Sequence, residues 1–214
     1  MNTCYIFGAG EGLPKSFSPD IGDIVIAADA GIKNLSVFGI SPDIAVGDFD
    51  SLGYVPDNCE TIRHPVMKDD TDTMLALKTG LARGFQRFVI YGGTGGRPDH
   101  TLANYQTLCF AATHGAQAYL CEDDYCACAV TDGRITFKSS ASGNISVFAF
   151  CHCKGVTLKG FLYSLENSDL SPFFPLGASN SFKGKESSVE VKNGTLVVIW
   201  QGCTNDVEYL NSQS

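Results

Sequence analysis

The chain is short of positive charge and has no long apolar run, and both shortages narrow what it can do. Lys and Arg total 15 against 23 Asp and Glu, a formal charge of −8. A polyanion gains nothing from such a partner, which disfavours nucleic acid and anionic membranes. No stretch of 18 apolar residues occurs, and the opening MNTCYIFGAG lacks the basic region, apolar segment and cleavage site of a signal peptide. A cytoplasmic protein with no membrane partner is expected. Two nucleotide motifs are also missing. Gly8-Ala9-Gly10 is followed by Glu11, Gly12 and Leu13, which leaves G-x-G-x-x-G incomplete, and no Gly-Lys-Ser/Thr follows the glycines at 92–96, which excludes a P-loop. There is no internal repeat and no linker rich in Pro, Gly or Ser.

Cysteine is not scarce. Nine cysteines, an odd number in a chain without an export signal, favour free thiols over a disulfide framework. Zinc is the sharper alternative: Cys126 and Cys128, with Cys151, His152 and Cys153, could supply ligands. The pairs are spaced C-x-C rather than C-x₂₋₄-C, however, and lie in alternating segments, where small buried hydrophobes explain them.

What remains is ordinary globular material, 214 residues with 44% hydrophobic and 18% charged content, enough for one large domain or two small ones. Cys4–Phe7, Ile24–Ala28, Ile44–Val46, Arg87–Tyr91 and Ala118–Leu120 read as short buried strands, separated by helical patterns over 31–38, from about 71 to Gly84, and from Asp99 to His114. In the second helix Met74, Leu77 and Leu81 share a face. In the third Leu102, Tyr105, Cys109 and Ala112 point inward. The first half is therefore α/β with a mainly parallel sheet in Rossmann-like layers. From about residue 125 apolar and polar residues alternate over 134–138, 144–150, 155–165, 188–192 and 195–200, and Asp132-Gly133 and Asn193-Gly194 are two-residue hairpin signatures. The second half is expected to be an antiparallel β-sandwich, which divides the chain into domains 1–125 and 126–214. The stretch 172–182 reads as a loop whose Ser and Asn groups suit a polar ligand.

The chemistry gathers at strand ends. Asp48 and Asp50 follow Ile44-Ala45-Val46, where two carboxylates at i and i+2 of an extended segment could reach one hard cation, although Asp and Ser also build solvated turns. Asp29 ends another strand and could equally cap the next helix. Lys68-Asp69-Asp70-Thr71-Asp72 opens a helix, where carboxylates complement the dipole, Asp72 could meet a metal and Lys68 a phosphate. Gly92-Gly93-Thr94-Gly95-Gly96 between a strand and a helix could turn backbone N–H groups toward an anion, with Arg97 as a permanent cation and Asp99-His100 beside it. Together these suit metal-assisted phosphoryl transfer, with Mg²⁺ as the natural ion. The lone Trp200 could stack on an aromatic cation but fits a core strand position.

In its order of motifs the chain resembles the thiamine pyrophosphokinase family. The matching segments are Ala28-Asp29-Ala30-Gly31, Gly47-Asp48-Phe49-Asp50-Ser51, Lys68-Asp69-Asp70-Thr71-Asp72, Gly92 to His100, and Ser179-Asn180, while 157–165 follows the family's Gly-Leu-Lys-Tyr/Trp-x-Leu pattern loosely. The resemblance implies transfer of a pyrophosphoryl group from ATP to the hydroxyl of thiamine, giving thiamine diphosphate and AMP. It implies a homodimer of chains, each with a nucleotide domain followed by a thiamine-binding β-sandwich. On that scheme Asp48, Asp50 and Asp72 hold magnesium with Asp29 nearby. Lys68, Gly95, Gly96, Arg97 and His100 meet the ATP phosphates, Asp99 orients thiamine and accepts its proton, and Ser179 and Asn180 contact thiamine. Two alternatives are a metal-dependent nucleotide-sugar glycosyltransferase and a non-catalytic nucleotide or thiamine sensor.

Overall fold

Short apolar runs that end in Gly or Asp become strands, because four or five buried residues span a sheet and the small polar residue after them permits a turn. The computed structural model describes residues 1–50, 52–63 and 69–210, so Ser51 and Lys68 lie outside the described residues. The chain forms two compact units, Met1–Thr107 with Leu120–Asp123 and Leu108–Tyr119 with Asp124–Ser214.

The first unit contains β1 (Cys4–Phe7), β2 (Ile24–Ala28), α1 (Gly31–Ser36), β3 (Ile44–Gly47), β4 (Glu60–Arg63), α2 (Asp72–Ala82) and β5 (Arg87–Tyr91). α3 (Pro98–Thr113) and β6 (Gln117–Cys121) follow. The strands run in the order β5-β1-β2-β3-β4, each pair parallel. From β1 the chain proceeds outward through β2, β3 and β4, then returns to place β5 on the other side of β1. The carboxyl ends of β1 and β5 therefore flank a topological switch point, the crevice where open α/β sheets take ligands. The strand β4 was not expected from its sequence Glu-Thr-Ile-Arg. Its residues are half-buried or exposed, so no apolar run marks it. Phe7, Val25, Ala27 and Leu35 form a core cluster on which Phe17, Phe38 and Tyr91 pack, with the Phe7 and Phe17 rings edge-to-face at 4.8 Å. Each buried Phe or Leu contributes about 1.5 to 3 kcal/mol.

Both long helices bury faces other than those expected. Thr71 caps α2 by accepting the Met74 N–H at 3.2 Å, and the buried residues are Thr73, Ala76, Leu77 and Gly80. Of Met74, Leu77 and Leu81 only Leu77 is fully inside, because a small-residue face lets the helix lie closer to its sheet. In α3 the buried residues include Asn104, Thr107, Leu108 and Ala111, whereas Leu102 is 56% exposed. Here polar side chains are buried with their hydrogen bonds made. Asn104 donates to the Gly93 carbonyl at 2.7 Å and Thr107 to that of Ala103 at 3.0 Å.

The second unit is a β-sandwich. β7 (Tyr125–Thr131), β9 (Asn144–Ala149), β12 (Gly177–Ser181) and β14 (Thr195–Gln201) pair in the order β12-β9-β14-β7. β8 (Arg134–Phe137), β10 (Cys153–Lys159), β11 (Leu165–Leu170), β13 (Ser187–Glu190) and β15 (Val207–Leu210) form the facing sheet in the order β11-β10-β13-β8-β15. All the pairings are antiparallel. The hairpin reading of Asp132-Gly133 and Asn193-Gly194 is corrected: β7 and β8 lie in different sheets, as do β13 and β14, so both turns carry the chain from one sheet to the other. The stretch expected to be a loop contains β12, which pairs with β9 through a register shift between Gly177 and Asn180. The segment expected as one strand over 155–165 is broken at Gly160 into β10 and the start of β11. Trp200 is fully buried, edge-to-face with Phe137 and Tyr119. Its place is in the core.

Candidate active site

Two glycine loops lie side by side at the switch point. The Gly8 N–H donates to the Tyr91 carbonyl, Gly10 to Gly92 and Glu11 to Thr94, each at 2.8 Å, and Gly92 donates back to Gly12 at 3.1 Å. Asn34 of α1 holds the first loop from beneath, its amide donating to the Gly8 and Gly10 carbonyls at 2.7 and 2.9 Å. Asn104 of α3 does the same for the second at Gly93. Between them opens a cleft of about 340 Å³ lined by both loops and by Asp29, Asp72, Arg97, His100 and Asn104.

At one side of this region Asp29, Asp48 and Asp50 bring carboxylate oxygens within 4.8 Å of one another. The extended geometry expected for Asp48 and Asp50 is corrected. Phe49 between them is buried and left-handed (φ 63), so the chain turns, and Asp48 Oδ1 accepts the Asp50 N–H at 3.0 Å. The pair converges through a turn rather than through the pleat of a strand. Asp29 is also left-handed (φ 45), and its N–H donates to the Val46 carbonyl at 2.8 Å. Gly47 makes that approach possible, since a Cβ there would lie 3.1 Å from Asp29 Cα. The alternative of Asp29 as helix cap does not hold: the N-cap of α1 is Ala30, without a side-chain cap bond. Instead Asp29 Oδ1 is buried with no hydrogen-bond partner. A buried carboxylate oxygen left unsatisfied beside two further carboxylates is costly unless a cation completes it. The donor set, all carboxylate oxygen, suits a hard divalent ion.

Asp72 reaches the cleft from the first turn of α2. Its neighbour Asp70 is engaged elsewhere, in an ion pair with Lys78 at 2.7 Å. Arg97 and Asp99 form a two-point ion pair, Nη2 to Oδ2 at 2.5 Å and Nε to Oδ1 at 3.2 Å. The hydrogen bond from Arg97 holds the Asp99 carboxyl below the usual carboxylate range, and the same bond raises Arg97. Gly95, Gly96, Arg97 and His100 are exposed at the cleft. Ser179 and Asn180 lie in β12 of the second unit. Asn180 is 4% exposed and its amide is committed to backbone, accepting the Tyr163 and Ser181 N–H groups and donating to the Tyr163 carbonyl. Ser179 is left-handed (φ 58), its N–H on Ser146 Oγ at 3.1 Å.

Asn34 and Asn104 were not singled out from sequence. For Asn104 a signal existed: it follows His100 by four residues on a helix and so shares its face toward the cleft. No such spacing marks Asn34.

Comparison with known proteins agrees with this architecture. Residues 20–120 match the family described as thiamin pyrophosphokinase, catalytic domain, and residues 133–197 match thiamin pyrophosphokinase, vitamin B1 binding domain. The thiamine pyrophosphokinase of Bacillus subtilis (strain 168) is 28% identical over 213 residues, covering 93% of this chain and 98% of that one. The crystal structure of the Bacillus subtilis thiamine pyrophosphokinase superposes with a TM-score of 0.79 at 27% identity, over 94% of this chain and 99% of that chain. A thiamin pyrophosphokinase family protein from Enterococcus faecalis gives 0.79 at 28% identity, over 95% and 100%. With its two halves matching the two parts of one family in order, the chain belongs to the thiamin pyrophosphokinase family.

Proposed function

We propose that this chain catalyses transfer of a pyrophosphoryl group from ATP to the hydroxyl of thiamine, releasing AMP. The observation that carries this reading is the unsatisfied Asp29 Oδ1 grouped with Asp48 and Asp50 beside a cleft walled by two glycine loops. Asp29, Asp48 and Asp50 would hold Mg²⁺, with Asp72 contributing from α2. When bound, the ion would neutralise triphosphate charge. Gly95, Gly96 and His100 would face the phosphates, and Lys68 would add a cation.

Arg97 and Asp99 divide the remaining work. While paired, Asp99 is a weak proton acceptor, because its carboxylate is stabilised by the guanidinium. A phosphate oxygen that takes over the fork of Arg97 would free Asp99 and raise its basicity. Asp99 could then orient thiamine and accept its hydroxyl proton as the oxygen attacks the β-phosphorus. In this scheme proton acceptance follows nucleotide binding. Ser179 would offer thiamine its hydroxyl, and Asn180 would act by fixing the backbone at Tyr163.

We assign residues 1–125 to nucleotide and metal binding in Rossmann-like layers and 126–214 to thiamine binding and dimerisation. Exposed Leu162, Tyr163, Phe173, Phe174 and Leu176 in the second unit support a homodimer. Nine free thiols suit a reducing, cytoplasmic location, and no helix among the described residues is long and apolar enough to cross a membrane. The glycosyltransferase alternative leaves the paired glycine loops without a task. Incubation with ATP, magnesium and thiamine should yield AMP and thiamine diphosphate in equal amounts. Folded protein that forms neither would refute the reading.

A further inference from the structure

Cys151 and Cys153 stand outside everything the phosphate cleft requires. Their sulfurs are 3.9 Å apart. Cys151 is exposed, Cys153 is buried at the start of β10, and His152 between them belongs to no strand. The two thiols differ in what surrounds them. The Thr195 N–H points at Cys151 Sγ at 3.3 Å, and the exposed Cys151 is the sulfur that a disulfide in solution can reach. Cys153 Sγ faces the carbonyl oxygens of Thr195 at 3.3 Å and Cys151 at 3.5 Å, which can only accept, so Cys153 keeps its proton. Burial, then the adjacent Cys151, raises its pKa to about 11. A third thiol, Cys109 of α3, is held at about 12 by burial and by these two neighbours. Gly194 leaves the room: a Cβ there would lie 2.8 Å from Cys153 Sγ and 3.2 Å from Cys151 Sγ.

We propose that Cys151 and Cys153 are an oxidisable thiol pair that reacts with small-molecule disulfides, Cys151 attacking and Cys153 resolving. The Cys151 thiolate attacks one sulfur of RS–SR, forming a mixed disulfide and expelling RS⁻, which takes up a proton. Cys153 then gives its proton to solvent and attacks the Cys151 sulfur, closing the Cys151–Cys153 bond and expelling the second RS⁻. Two electrons and two protons pass from the protein to the oxidant, which leaves as two RSH. The sulfurs must close from 3.9 Å to about 2.0 Å, a movement that His152, outside the strand ladder, leaves open.

The test is incubation of the full chain with oxidised glutathione, alkylation of the remaining thiols, and peptide mapping by mass spectrometry. The wild-type peptide containing Cys151 and Cys153 should lose two hydrogens. Cys153→Ser should stop at one glutathione on Cys151, and Cys151→Ser should show neither product on this peptide. Glutathione on Cys59 or Cys203 while the Cys151 peptide stays reduced would overturn the proposal, as would a folded Cys153→Ser variant without an adduct on Cys151. Circular dichroism accompanies each variant, and the wild-type map decides the matter without them.

Discussion

Gly194 donates its backbone N–H to the Asp132 carboxylate at 2.7 Å, and the Asp132 N–H donates to the Gly194 carbonyl at 3.1 Å. Two chain reversals 62 residues apart are thereby one joint, at which the strands on either side change sheets. Asp132 is also left-handed (φ 45). Asp132→Ala should lower stability by about 1 kcal/mol for the hydrogen bond and by about 1 kcal/mol for the left-handed backbone. Asp132→Asn should be milder, because Asn accepts the same bond and tolerates that conformation. Urea midpoints of the two variants check this; equal losses would mean that the side-chain bond is not what holds the joint.

Asp29→Asn separates stability from ion binding. Asn keeps the shape and tolerates φ 45 but removes the charge of a carboxylate whose Oδ1 is buried and unsatisfied. Without divalent ions the variant should be at least as stable as wild type, because one of three neighbouring like charges is gone. Magnesium should raise the Tm of the wild type, and that rise should vanish in the variant. An unchanged magnesium response in Asp29→Asn removes this residue from the ion site.

Asn34→Ala should loosen the loop at Gly8 and Gly10 by taking away both amide bonds. The expected cost is about 1 to 3 kcal/mol of stability. KM for ATP should rise several-fold while KM for thiamine stays near its wild-type value. Steady-state kinetics with each substrate varied in turn would detect the split. A rise in both together would point to general unfolding.

Cys4 gives the pH dependence a definite sign. Burial above all raises its thiol from 9.0 to about 12. The folded pKa exceeds the unfolded one, so the native state binds the proton more tightly. This stabilisation is complete below about pH 9 and is lost as pH rises through about 12. The stability difference between wild type and Cys4→Ala should shrink by up to about 1.4 kcal/mol per pH unit in that window. Urea titrations at a series of alkaline pH values measure it; a constant difference would show that Cys4 does not titrate there.

Features set by short-range chemistry were legible in the sequence. A buried run followed by Gly or Asp marks a strand end whoever its neighbours are, which is why Asp29, Asp48, Asp50 and the loop at 92–96 stood out. Partnership was not legible. Asp132-Gly133 and Asn193-Gly194 have the chemistry of tight turns, but local chemistry does not say which sheet the outgoing strand joins. β12, written Gly-Ala-Ser-Asn-Ser, has no strand propensity of its own and depends on β9 and on the Asn180 amide. The α3 face was misread because Asn104 and Thr107 go inward to satisfy backbone carbonyls, leaving Leu102 outside.

The left-handed turns at Asp29 and Phe49 bring three carboxylates close together. On the proposed function the fold bears their mutual repulsion until a bound cation offsets it. On that reading, substitutions that relax those turns or neutralise a carboxylate should give a sturdier but less active molecule. A selection for heat tolerance alone would then act against this corner, and activity would have to be kept under separate selection.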